Sequence, residues 1–384
     1  MNDTDRVVYC TAPWQGVTIM EDGNVKTCCS GSTSLGNLNG SSIEQIMQSD
    51  LLNKIKEDLQ QNIFHDNCTL CADNESNGNY ANTRQYYLKY HPIASIYKNN
   101  LSVVDIRWNN KCNISCQYCG PGSSSTWEEK LKIVKSSTNK PYQDNLLEWI
   151  VNQSADLKEI LLAGGEPMLA KQNYKLFKIA PDNCRFSIVT NCSYDLASLP
   201  CIPDLLKRPA DNIIWTISAE NTHDQFEYVR QGAKWDQLIK NIEFLVEHWP
   251  NTVGFNMVYS IFSAIQLDQT YKTFSDLGVH KVTLLYLIEN RHLAIDRMPQ
   301  AIRDVCKHTI DQLIDFHHTR FGIDKDFYPI NGINQIRSGL ALPSSADIIT
   351  KKEFYQQIQW HDSWSEKKFS DLWPNVVDLV EKYL

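Results

Sequence analysis

No stretch of this 384-residue chain stays apolar for the length that a membrane-spanning helix needs, which excludes a helical membrane protein. The first residues, Met1-Asn2-Asp3-Thr4-Asp5, lack the basic and apolar regions of a secretory signal, so a cytoplasmic protein is expected. Basic charge is scarce: 37 Lys and Arg against 45 Asp and Glu leave a net charge of −8. That argues against a broad nucleic-acid-binding face. There is no internal repeat and no low-complexity tract, which removes solenoid and linker-rich architectures from consideration. What remains, 42% hydrophobic and 21% charged residues, is the composition of a soluble globular enzyme, long enough for one large core and a smaller second one.

Cysteine, by contrast, is abundant, with twelve in the chain. Disulfides do not explain them in a reducing compartment, and metal ligation does for most. Seven fall into two groups with ligand-like spacing. Cys29, Cys184, Cys192, Cys201 and Cys306 are scattered, and such cysteines ordinarily pack as small hydrophobes.

From about Ser102 short β-branched runs alternate with segments of helical periodicity, the pattern of βα units around a parallel sheet. The expected strands are Ser102–Trp108, Glu159–Ala163, Phe186–Thr190, Ile213–Ser218, Val253–Ser260 and Lys281–Ile288. Helical periodicity is clearest in Trp235–His248, where Leu238, Ile239, Ile242, Leu245 and Val246 share a face. Six such units suit an α/β fold of the partial (β/α)6 TIM-like barrel type over residues 100–298. Residues 1–80 differ in character and read as a small α+β domain. They hold a hairpin around Asp22-Gly23, and a helix over Ser42–Gln60 with a capping box at Ser41 and Glu44 and Ile43, Ile46, Met47, Leu51 and Ile55 on its buried face. Asp73–Asn82 reads as a loop, and residues 299–384 as a mainly helical extension.

The run Cys112-Asn113-Ile114-Ser115-Cys116-Gln117-Tyr118-Cys119 supplies three thiolates where a four-iron cluster takes four. The open iron is a place for a small chelating molecule, whose shell then tunes the cluster. A structural zinc site is the plainer reading of close cysteines, although the nearest second Cx2C is Cys68 and Cys71 and no histidine follows Cys119 until His223.

The Cx3Cx2C spacing, with Tyr118 just before the third cysteine, resembles the radical S-adenosylmethionine (radical SAM) superfamily. Ala163-Gly164-Gly165-Glu166-Pro167, after the second strand, resembles that superfamily's GGEP motif. By the same resemblance Tyr118, Gly164, Gly165 and Glu166 belong to the cofactor pocket, Asn191, Ser218 and Glu220 at later strand ends contact its ribose or methionine part, and Arg230 pairs with the methionine carboxylate. A forked guanidinium suits that task. Taken singly, each of these is an ordinary cap or surface residue; what distinguishes them is that they stand at successive strand ends in the expected order.

Cys10, twelve residues to Gly23, four to Cys28, then Cys68 and Cys71 resemble the twitch domain, a shortened relative of the SPASM domain, which carries an auxiliary four-iron cluster. Zinc on the same four thiolates is the alternative. In most relatives this region follows the barrel, whereas here it precedes it. The resemblance therefore implies two 4Fe-4S clusters, S-adenosylmethionine, a reductant such as flavodoxin or ferredoxin, and a peptide or small-molecule substrate. The auxiliary cluster implies a net oxidation by a radical SAM oxidoreductase. A redox-neutral epimerase with Cys192 returning the hydrogen, or a non-catalytic zinc protein, would be the other readings.

Overall fold

The computed structural model of the protein describes residues 9–76, 82–90, 101–133, 142–152, 156–287, 290–322, 333, 336–337, 339–340 and 348–384. Among these the strands are, in chain order, β1 (Gly16–Ile19), β2 (Asn24–Lys26), β3 (Gly36–Asn37), β4 (Val103–Ile106), β5 (Ser115–Cys116), β6 (Glu159–Leu162), β7 (Arg185–Thr190), β8 (Ile213–Ser218), β9 (Arg230–Gln231), β10 (Val253–Tyr259) and β11 (Lys281–Tyr286). The chain divides into two compact units. The first comprises Met1–Cys112, Pro121–Thr190 and Pro200–Ile214, the second Asn113–Gly120, Asn191–Leu199 and Trp215–Leu384.

In the first unit the strands lie in the order β7-β6-β4-β1-β2-β3. β4, β6 and β7 are parallel, with Val103 opposite Glu159 and Glu159 opposite Arg185. Helices Tyr142–Asn152 and Lys171–Ile179 supply the crossovers that parallel pairing requires. β1 adds itself in parallel to the other edge of β4, Thr18 opposite Asp105, and so covers an edge that would otherwise expose unpaired backbone. It then turns back into β2 through Asp22 and Gly23; Gly23 has φ +86, and the Asn24 N–H donates to Asp22 Oδ1 at 2.9 Å. The expected hairpin is therefore present and is part of the same sheet as the barrel strands of this unit.

Two local expectations change. The helix expected over Ser42–Gln60 is two helices, Ile43–Ile46 and Asp50–Gln60. The capping box is made by Ser42 and Gln45, one residue later than expected, and Ser49 caps the second helix by accepting from the Leu52 N–H. A serine inside a helical pattern offers the backbone a competing acceptor, and here that ends one helix and starts the next. The buried face is Ile43, Ile46, Leu52, Ile55 and Leu59, with Met47 and Leu51 half-buried. Within the expected loop Asp73–Asn82, residues 73–76 are helical, continuing Thr69–Ser76, and Asn82 opens the helix Asn82–Tyr90. Residues 77–81 lie outside the described residues. The helix starts from a turn at Asp66–Cys68 whose cap is His65 Nδ1 accepting from the Asn67 N–H, and it propagates through polar residues that a compositional reading takes for a loop.

In the second unit β8, β10 and β11 are parallel, with Trp215 opposite Val253 and Gly254 opposite Lys281. Burial alternates along β8 and β10. The helix Trp235–His248 buries Leu238, Ile242 and Leu245 and leaves Ile239 and Val246 half-buried. Beyond β11 the described chain is helical: Gln300–Phe321, Lys351–Ser363, Phe369–Leu372 and Pro374–Tyr383. The fold is thus α/β, with the six parallel strands of a partial (β/α)6 TIM-like barrel behind a small α+β region. Each barrel strand ends within two residues of its expected limits; Ile288 lies outside the described residues.

Candidate functional site

In the first unit Cys10, Cys28, Cys68 and Cys71 line one small hollow together with Arg84. Cys10 sits ahead of the helical turn Ala12–Gln15, Cys28 follows β2, and Cys68 and Cys71 straddle the start of the helix Thr69–Ser76. Buried Asn67 ties these segments together, accepting from the Thr33 N–H at 2.9 Å and donating to Thr27 Oγ1 at 3.0 Å. Cys29 does not line the hollow; it is exposed, with Sγ 3.7 Å from Thr83 Oγ1. Burial, aided by the neighbouring thiols, pushes Cys10 up to about 12 and Cys68 up to about 11, and burial also raises Cys28 and Cys71. Without a metal these thiols hold their protons, and ligation must displace them.

Among the described residues no three His, Cys, Asp or Glu side chains are gathered closely enough to hold one metal ion. The four thiols around the hollow are a donor set suited to an iron-sulfur cluster or, drawn together, to zinc. Arg84, which the sequence reading missed, contributes positive charge toward Cys10 and Cys71; it is anchored by Tyr9 O at 2.8 Å and Glu75 Oε1 at 2.6 Å. It stands in a segment without motif spacing, so only its place beside the thiols identifies it.

The first unit also holds Cys112 and the GGEP motif. Ser125 Oγ accepts from the Cys112 N–H at 3.2 Å, and Thr126 Oγ1 donates to Cys112 O at 2.7 Å. Gly164 and Gly165 face the segment leading to Cys112. A Cβ on Gly165 would come within 2.4 Å of Lys111 O, and Gly164 has φ +112. The Gly165 and Glu166 N–H groups donate to Asn109 O at 3.2 Å and Lys111 O at 2.7 Å. Glu166 is buried, its Oε1 accepting from the Met168 N–H and Thr190 Oγ1.

The second unit contains Cys116 and Cys119. β5 pairs antiparallel with β9, setting Cys116 opposite Arg230. Arg230 points its fork at Glu220: Nε to Oε2 at 2.8 Å and Nη2 to Oε1 at 2.6 Å, with both side chains buried. Its remaining nitrogen, Nη1, reaches Cys116 Sγ at 3.7 Å. The Tyr118 hydroxyl donates to Glu220 Oε1 at 2.8 Å. Arg230 and Glu220, each expected at the cofactor, are thus partners of one another, and a guanidinium donor at Cys116 fits a sulfur held as thiolate.

Within the second unit Asn191 Nδ2 donates to Asn113 Oδ1 at 3.2 Å, and Asn113 Nδ2 to Ser193 Oγ at 2.8 Å, joining residues 191–193 to the cysteine loop. Ser218 lies opposite Asn256 in the register of β8 and β10, and among the described residues its hydroxyl makes no hydrogen bond. Cys192 is fully buried at φ +49, its carbonyl accepting from Asn241 Nδ2 at 2.8 Å.

Residues 106–274 match the Radical SAM superfamily, and residues 10–73 match SPASM, an iron-sulfur cluster-binding domain. No curated protein matches the chain. Similar solved structures include native anSMEcpe with bound AdoMet, 16% identical, covering 57% of this chain and 61% of that one at a TM-score of 0.43. Streptococcus suis SuiB bound to S-adenosylmethionine is 17% identical, covering 71% and 58% at a TM-score of 0.42. This chain thus spans about three fifths of the length of either. The cofactors that go with the two matched domains are 4Fe-4S clusters, one of them auxiliary, and S-adenosylmethionine. Among the described residues no helix is long and apolar enough to cross a membrane.

Proposed function

We propose that this chain, which carries a radical SAM domain behind an SPASM cluster-binding domain, cleaves S-adenosylmethionine reductively and oxidises a peptide or small molecule. The observation that carries the reading is the arrangement in the second unit. Cys116 of the Cx3Cx2C run is fixed opposite Arg230 and receives its Nη1, while Glu220 and Tyr118 complete a buried polar group beside it. When bound, the cluster and S-adenosylmethionine together supply a 5′-deoxyadenosyl radical able to abstract hydrogen from an unactivated carbon.

The protein's own residues then have three tasks. Cys112, Cys116 and Cys119 hold the first cluster with one iron open. Tyr118, Gly164, Gly165, Glu166, Asn191, Ser218, Glu220 and Arg230 shape the pocket for the methionine and ribose groups and exclude water from it. Cys10, Cys28, Cys68 and Cys71 form a site with no open position, suited to taking the electron left on the substrate. A net oxidation is preferred to epimerisation because Cys192, the residue that would return a hydrogen atom, is fully buried. The reductant is a flavodoxin or ferredoxin, and twelve cysteines outside any disulfide support a cytoplasmic setting.

Anaerobic reconstitution tests the assignment. The chain is expected to bind about eight irons and eight sulfides, and replacing Cys112, Cys116 and Cys119 together by alanine to halve the iron and abolish 5′-deoxyadenosine formation. Cleavage of S-adenosylmethionine by the triple variant would refute the proposal.

A further inference from the structure

The helix Lys351–Ser363 lies beyond both matched ranges, yet within the second unit it touches the cysteine loop. His361 and Gln117 are both fully buried, and Gln117 stands between Cys116 and Tyr118. His361 Nδ1 is 2.7 Å from Gln117 Oε1. A carboxamide oxygen only accepts, so with Oε1 assigned to this contact Nδ1 carries the proton. Nε2 of the neutral ring is then an acceptor, and His292 Nε2 donates to it at 3.0 Å. Gln117 Nε2 donates to Tyr228 O at 3.2 Å and to His361 O at 3.4 Å, and the Gln117 backbone N–H donates to Val229 O at 2.8 Å. The helix is held in turn by the Tyr228 hydroxyl, which donates to Asp362 Oδ1 at 2.9 Å. The residue at the centre of the loop therefore has one orientation, and His361 supplies the donor that fixes its oxygen.

We propose that His361 is a positioning residue for the radical SAM cysteine loop: through Gln117 it fixes Cys116–Cys119 and so the pose in which S-adenosylmethionine meets the first cluster. This rests on the function proposed above. A histidine that merely filled space would affect stability alone, whereas this one acts through a hydrogen bond that a second donor can replace.

The test uses the anaerobically reconstituted full chain as wild type, His361→Leu, His361→Asn, Gln117→Leu and the double leucine variant. Asparagine keeps an N–H close to where Nδ1 stands. S-adenosylmethionine affinity and the change it causes in the electron paramagnetic resonance spectrum of the reduced first cluster are measured, with the second cluster's signal and the total iron as internal controls. His361→Leu and Gln117→Leu should each weaken affinity about fivefold, the size of one neutral hydrogen bond, and alter the response to S-adenosylmethionine with iron retained. His361→Asn should recover most of the loss, and the double variant should be no worse than either single one. Wild-type affinity and spectrum in His361→Leu, equal damage in His361→Asn, or additive losses in the double variant would each overturn the proposal. If His361→Leu does not fold, His361→Asn against Gln117→Leu decides by the same criteria. A wild-type protein whose spectrum ignores S-adenosylmethionine would overturn the radical SAM reading itself, a separate result.

Discussion

Arg230 meets a carboxylate of its own chain before it meets one from a ligand. Both ends of the Arg230–Glu220 pair are buried, so removing the arginine strands a carboxylate in a dry site, which typically costs about 3–5 kcal/mol. Arg230→Ala is therefore expected to lower the free energy of unfolding by about that much in anaerobic denaturant titrations as well as weaken S-adenosylmethionine binding. Unchanged stability would mean that Glu220 finds another partner. His361 gives a second test at this scale. Burial, and then the neighbouring His292, pushes it down to about 3, below the unfolded value of 6.5. Between those values the unfolded chain binds the extra proton, so the stability is fully present above pH 6.5 and is lost as pH falls toward 3, with a slope of up to about 1.4 kcal/mol per pH unit. Urea midpoints at pH 7.5 and 5.5 should separate more for wild type than for His361→Asn; equal separations would show that His361 is not a buried neutral group. Spacing picked out the cysteines in the sequence, and the resemblance of residues 228–232 picked out Arg230, which follows a helix rather than a barrel strand. Its bond to Glu220, ten positions away, was hidden because each had been given to the same ligand. The contact between Gln117 and His361 spans 244 positions and leaves no local signal.

Whole elements show where sequence patterns hold and where they fail. The parallel strands were legible because their apolar runs are bounded by polar strand ends, whereas the break at Ser49 and the helix Thr69–Ser76 depend on capping bonds that periodicity does not register. The two glycines after β6 pack closely against backbone, which motif spacing does not register. Gly165→Ala would set a methyl group 2.4 Å from Lys111 O, so the segment Asn109–Lys111 must shift, and with it Cys112. We expect a loss of about 1–3 kcal/mol and a fall in first-cluster iron, with the second cluster's signal intact. Gly40→Ala, where nothing lies within 4 Å, serves as the control and should change neither. Retained iron and stability in Gly165→Ala would show that the loop has room the geometry denies.

For the molecule as a whole, the order of motifs along the chain was legible and the use of the N-terminal site was not, because four half-buried thiols fit both an electron acceptor and a structural prop. Cys10, Cys28 and the Cys68/Cys71 pair come from separate local segments that meet at one hollow, so a cluster bound there also ties those segments together. Loss of Cys68 and Cys71 should therefore loosen this region, and the test must use a variant that circular dichroism shows to be folded. If the site accepts the substrate's electron, folded Cys68→Ala/Cys71→Ala protein, with about half the iron, should still release 5′-deoxyadenosine by slow uncoupled cleavage while forming no oxidised product. Product at normal yield, with the second cluster absent by iron analysis and spectroscopy, would remove the acceptor role. A first cluster that has given its electron to S-adenosylmethionine would be free to take one back from the substrate, so that result would shift the balance toward electron return to the first site, or toward a redox-neutral reaction with a hydrogen donor more accessible than buried Cys192.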